Sequence, residues 1–392
     1  MDRLHGWLVA SVALWMSSLA LAGGIVADPV ARIEQPGKVL ELIGVTRSAD
    51  GTKLLIAVAE SESKAGLLAY QIHEVDPKTG KSRQLFRTEL DKHPRRAGFI
   101  PGKLRSLVLT SNGELILCGR FDQESSAIRK TRQSGEILRE TPHPDEKMAR
   151  MASPVVRSLL LTAQDEVLTI AGDTWLYDKD LTQKWRVPKA QDHLVVDGIY
   201  DPKRQQFVLA RLGGSFSKFG TPTDEKPQVI VMTVNRDGSL GKEISLDGMG
   251  PHLALAGDRT VLLRDTLRKD GRFVLTWLDG DLREKESYAL VGMPTSALPS
   301  VYPLRLYVRP DRHLVAIGNP MHTLFAREWD EKGQELAADD SLWPTPVDGE
   351  LWLEVHGEDA LVVSGQEEPP LIEDGKFIFK QSIRVDRLKF RR

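Results

Sequence analysis

The chain has a single cysteine, Cys118, in 392 residues. One thiol excludes an internal disulfide, a multi-cysteine zinc or iron–sulfur framework, and covalent haem attached through CxxCH. Aromatic residues make up only 6% of the chain, so a core must rest mainly on Val, Leu, Ile and Ala. Neither sign of charge is in excess: Lys+Arg number 53 against 55 Asp+Glu, a formal charge of -2. There is therefore no basic footprint for nucleic acid and no polyacidic tail. No apolar run beyond residue 22 approaches the roughly 20 residues that cross a bilayer. No long apolar stripe of helical period occurs either. Reaction signatures are missing as well. Gly213-Gly214-Ser215-Phe216-Ser217 lacks the second glycine of G-x-S-x-G, and Asp279-Gly280-Asp281 lacks the remaining ligands of a calcium loop. No P-loop or dinucleotide fingerprint is present. What remains, 41% hydrophobic and 28% charged, suits a globular protein.

Residues 1–22 read MDRLHGWLVASVALWMSSLALA. Arg3 gives a weak positive start, Trp7 to Leu21 is apolar and uncharged, and Ala20-Leu21-Ala22 has the small-x-small pattern of a cleavage site. This reads as a signal peptide with Gly23 as mature start and Ala27 as a weaker second choice; the alternative is an uncut anchor. No cysteine near the site allows lipid attachment. The expectation is an exported chain, periplasmic or secreted and soluble after cleavage, with residues 23–392 as one domain.

That domain repeats one pattern. A polar turn between two apolar runs recurs at Ser48–Lys53, Ser111–Glu114, Ala163–Glu166, Asp201–Arg204, Gly257–Thr260, Pro310–His313 and Gly357–Ala360. Gly, Asp, Asn and Pro tolerate the tight turn, and the flanking Val, Leu and Ile suit a pleated buried surface, so each is a hairpin. A second, more polar hairpin follows each, with turns anchored at Asp76, Gln133, Asp178, Asn235, Asp279, Asp330 and Asp386. The spacing is 44 to 57 residues, which gives four strands per unit. Seven such units predict an all-β fold, a seven-bladed β-propeller of four-stranded antiparallel blades, at roughly 38–95, 103–146, 155–189, 193–247, 251–291, 303–340 and 349–392. One small sheet cannot bury two apolar faces alone; sheets stacked radially bury both. Val30 to Glu34 is expected to supply an outer strand to the seventh blade, whose own fourth strand, LKFRR, is short.

The segment WLYDKDLTQKW, ending at Trp185, resembles the repeats of exported bacterial β-propellers of the WD40-like and quinoprotein types. The likeness spans the mature chain, but its motifs are degenerate. Only this unit keeps the closing Trp, and Trp329-Asp330 is a lone WD pair without its Gly-His partner. Gly172-Asp173-Thr174-Trp175 keeps only the tail of a sialidase-type Asp box. The resemblance implies a fold and no chemistry.

Aligning the innermost strands by their turns gives a channel-mouth ring of Glu41, Arg105, Arg157, Asp197, His252, Arg305 and Trp352. Arginine forks and a flat indole suit a carboxylate or phosphate. The alternative is a channel plugged by ion pairs to Glu41 and Asp197. His193 and Asp197 share a strand face but stand about 13 Å apart, too far for a dyad. His193, His252, His313 and His356 come from different units, and no metal or cofactor is expected. Cys118 is expected to be a small buried hydrophobe. Two insertions, His93–Gly102 and Ser215–Gln228, are candidate binding loops. The functional expectation is a non-catalytic scaffold that binds another protein or a small polar or anionic ligand. The alternatives are a periplasmic enzyme at the channel mouth (quinoprotein-like, hydrolase or lyase) and a structural subunit of an envelope complex.

Overall fold

A computed structural model describes residues 23–35, 38–61, 67–90, 104–121, 126–142, 156–171, 174–187, 194–213, 227–266, 273–293, 304–318, 324–339, 351–356, 359–367, 371–373, 376–378 and 381–390. The signal-peptide reading at 1–22, the seventh inner turn at 357–358, His193 and both candidate binding loops, apart from Pro227 and Gln228 at the end of the second, lie outside these residues. The described chain is all-β. The first strand of the chain is β1 (Gly23–Ile33). Then follows a first meander, β2 (Val39–Arg47), β3 (Leu54–Ser61), β4 (Leu67–Val75) and β5 (Ser82–Glu89). Four separate four-stranded antiparallel sheets come next. They are β6 (Leu104–Leu109) to β9 (Ile137–Pro142), through β7 (Leu115–Arg120) and β8 (Ser126–Thr131); β10 (Val156–Leu161) to β13 (Gln183–Arg186), through β11 (Val167–Ala171) and β12 (Trp175–Tyr177); β14 (Leu194–Asp201) to β17 (Leu240–Asp247), through β15 (Gln206–Gly213) and β16 (Gln228–Asn235); and β18 (Met249–Ala256) to β21 (Glu284–Ala289), through β19 (Arg259–Asp265) and β20 (Phe273–Leu278). A sixth meander runs from β22 (Leu304–Val308) through β23 (Leu314–Gly318) and β24 (Phe325–Trp329) to β25 (Glu335–Asp339). The last group holds β26 (Leu351–His356), β27 (Asp359–Glu367) and β30 (Gln381–Phe390), with the small hairpin β28 (Leu371–Glu373) and β29 (Lys376–Ile378) between the latter two.

The seventh group is completed from the other end of the chain. β30 pairs antiparallel with β27 on one side and with β1 on the other, Ile25↔Phe390 through Ile33↔Ile383. Short parallel bridges, Val39↔Gln381 and Gly23↔Ala337, join this group to the first and sixth meanders in one twelve-stranded sheet. The sequence expectation of a hairpin at Asp386 is therefore corrected. β30 is a single ten-residue strand, and Asp386 lies fully buried inside it, its Oδ1 accepting from Arg384 Nε at 2.8 Å. LKF is the end of that strand and not a fourth one. No glycine follows Asp386 to turn the chain, and β27 offers a ladder partner along the whole strand.

Both faces of the middle strands are apolar for a reason visible in the packing. Seven core clusters lie between consecutive groups. Ile43, Leu55 and Tyr70 meet Leu107, Leu115 and Leu117 between the first and second; Cys118, as expected, is buried between the second and third. The series continues round to Val363, Ile383 and Val385, which meet Leu40, Leu54 and Ile56. The first strands also touch in succession: β2 with β6, β6 with β10, β10 with β14, β14 with β18, β18 with β22, β22 with β26, and β26 with β2.

The outer turns form for a local reason. Asp76, Asp178, Asp279 and Asp330 each accept the backbone N–H two residues on, at 2.8 to 2.9 Å, the Asx turn that aspartate favours. Each turn then holds one residue in the left-handed region: Gly80, Gly135, Leu181, Gly238, Leu282 and Gly333. That residue lies on the outer strand of the preceding group. A Cβ on Gly135 would meet Phe86 of β5, and one on Gly238 would meet Trp185 of β13 at 2.8 Å. Leu181 accepts from Thr141 of β9, Leu282 packs with Ile244 and Leu246 of β17, and Gly333 abuts Ala289 of β21. Gly80 makes the sixth such contact, against Val30 of β1.

Candidate functional site

On each first strand one residue holds the same ladder position. By ladder pairing these are Gly44↔Ala57, Ser106↔Cys118, Ser158↔Ile170, Asp197↔Ala210, His252↔Leu263, Arg305↔Ile317 and Trp352↔Val363. Four members of the sequence-derived ring, Asp197, His252, Arg305 and Trp352, occupy this level. Three do not. Arg105 and Arg157 are the extra residues at β-bulges between Leu104 and Ser106 and between Val156 and Ser158, and are placed by their backbone alone. Glu41 pairs with Ala59, short of the bulge that precedes Gly44. Arg105 and Arg157 stand one residue before Ser106 and Ser158, and Glu41 three before Gly44, so the count back from the turn overshoots this level in the first three groups.

The contacts at this level are mutual struts. Ser106 Oγ accepts from Leu159 N at 3.2 Å. Asp197 Oδ2 accepts from Leu253 N at 2.7 Å, and its Oδ1 from Gly198 N at 2.9 Å. Arg305 Nε donates to Leu351 O at 2.8 Å. Apart from the single Val39↔Gln381 bridge of β2, a first strand has a sheet partner on one side only, so its other edge presents N–H and C=O groups outside the ladder; these side chains satisfy some of them. Gly44 approaches so closely that a Cβ would lie 2.7 Å from Leu107 N.

The charges on three successive strands act on one another. Burial pushes the Asp197 carboxyl up to about 6, opposed by its two backbone hydrogen bonds and by the Arg305 charge. Burial, and then Arg305, push His252 down to about 3, so its imidazole is neutral near pH 7. His252 Nε2 is buried with no hydrogen-bond partner among the described residues. Arg305 is exposed and Trp352 is half-buried against the cluster that joins the seventh group to the first. His313 stands apart, 3.3 Å from Glu328 and 3.6 Å from Asp311. Among the described residues no group of three His, Cys, Asp or Glu side chains could hold a metal ion.

Two features escaped the sequence reading. Glu60, at the end of the apolar strand β3, is buried and accepts from Gln71 Nε2 at 2.7 Å and from Arg87 Nε at 2.7 Å. Gln35 bonds Gln71, and Lys38 lies 3.5 Å from Glu60, so this network ties down the chain between β1 and β2. The only signal was a carboxylate closing an apolar run. The second feature is a shallow cleft of about 410 Å³ lined by Pro29–Arg32, Gln366 and Arg384. No member of the ring lines it. Among the described residues no helix is long and apolar enough to cross a membrane. No protein-family model matches the chain, and no curated protein matches it.

Proposed function

We propose that this chain is an exported seven-bladed β-propeller, of the broad kind that WLYDKDLTQKW resembles, acting as a non-catalytic scaffold that binds another protein or a small anionic ligand at one end of its ring. One observation carries the architecture. The turn-on-strand contact found between successive groups recurs between the first meander and β1, where Gly80 meets Val30. The N-terminal strand thus plays toward the first group the part that β5, β9, β13, β17 and β21 play toward the next. The cluster at Val363, Ile383, Leu40 and Leu54 supports the same closure. Export rests on residues 1–22, and cleavage before Gly23 would leave β1 at the new terminus.

A binding role follows from where variation is permitted. In a four-stranded meander the first-to-second and third-to-fourth turns share one end. There no link in the six meanders exceeds six residues. The links at the opposite end include 90–103, 143–155, 214–227, 290–303 and 340–350. Long connections on a rigid frame are where recognition is usually carried. Small-angle scattering from the purified exported protein is expected to give the profile of a flat ring-shaped particle. Affinity capture with the whole chain and with a chain lacking 215–226 tests the binding end. A partner held by the first and lost by the second supports it, whereas an elongated particle would overturn the ring.

A further inference from the structure

We infer that the ring binds a small planar carboxylate between Arg305, His252 and Trp352; this rests on the ring reading above. The seven equivalent places are not alike. The first three groups supply Gly44, Ser106 and Ser158, while the next four supply Asp197, His252, Arg305 and Trp352. Ser106 makes its strut with a hydroxyl, and Gly44 packs on the next strand with no side chain. Bridging neighbouring strands therefore requires no large polar group. Four such groups follow one another after three small residues, which puts the chemistry of this level on one side.

On that side the donors and the acceptor are separated. Both Asp197 oxygens already accept backbone N–H groups, and its negative charge repels an anion from the β14 side. Next along come the His252 imidazole, whose Nε2 has no hydrogen-bond partner among the described residues, the Arg305 guanidinium, which donates from Nε to Leu351 O and from Nη1 to Leu304 O, and the Trp352 ring. A neutral imidazole has one N–H to give, and a guanidinium matches the plane of a carboxylate. An indole face favours a flat body behind that carboxylate over a tetrahedral oxoanion.

Calorimetric titration of the purified exported protein with benzoate, acetate and phosphate at equal ionic strength tests this, with scattering recorded on the same samples. Benzoate is expected to bind about tenfold more tightly than acetate or phosphate, and Arg305→Gln to weaken it by about tenfold or more. Arg305→Lys keeps the charge without the fork and should fall between; it also serves where Arg305→Gln fails to fold. His252→Phe should weaken benzoate too. Absent benzoate binding, equal binding in the Arg305 and His252 variants, or a preference for phosphate would overturn the inference. If the scattering still fits a ring, the site alone falls; if it does not, the ring reading falls and the site with it.

Discussion

His73 is buried on β4, its Nε2 2.8 Å from Gln71 Oε1, and burial holds it down at about 4 against an ordinary value of 6.5. The unfolded chain therefore takes up a proton near pH 6.5 that the folded chain refuses until about pH 4. The stabilising contribution of the neutral ring is complete above pH 6.5 and is lost as the pH falls between those values. The loss is about 3 kcal/mol. Urea unfolding at pH 7.5 and pH 4 should show this drop, and His73→Gln should lessen it by that amount; an unchanged acid limb would contradict it. At the same scale, Asp197 and Arg305 were legible in the sequence as polar residues on apolar strands. Their strut partners, Leu253 N and Leu351 O, were not, because each lies on the first strand of the following group, more than forty residues away in sequence.

β1 shows how an element acquires its role from a distant partner. GGIVADPVARI carries no strong alternation, and a register shift lies between Pro29 and Ala31. It is nevertheless a strand, because β30 presents an open edge and Ile25 and Ile33 each find a core cluster. Deleting residues 23–33 should expose that edge and remove those two anchors. The expected result is a melting temperature lower by at least several degrees, with aggregation on heating. Scanning fluorimetry with light scattering measures both, and unchanged melting would remove β1 from its assigned place. The Glu60 network adds to this attachment through Gln35 and Lys38. The expected outer strand at Val30–Glu34 overlapped the real one but began too late, since nothing in the local pattern marks where pairing with β30 starts.

For the whole molecule, stability is distributed over seven inter-group clusters that meet only through the strands they share. Leu117 lies in the cluster between the first and second groups, and Leu275 in the one between the fifth and sixth. Each is fully buried, so Leu→Ala at either should cost about 2–5 kcal/mol. With no shared neighbour the two costs should add in the double variant to within about 0.5 kcal/mol. Denaturant titration of the three variants checks this, and strong coupling would point to one continuous core instead.

Local chemistry wrote the succession of strands and most of the turns into the sequence. An aspartate that bonds its own backbone, a glycine free to adopt positive φ, and a run of Val, Leu and Ile act within a few residues of one another, so their pattern alone predicts a hairpin. Only the tertiary structure decided that β30 runs unbroken through Asp386, that Arg105 and Arg157 fall at bulges, and that β1 pairs with β30 of the seventh group. Each of those depends on which edge or face a segment meets after the chain has returned from far away, and no short stretch of residues encodes that meeting.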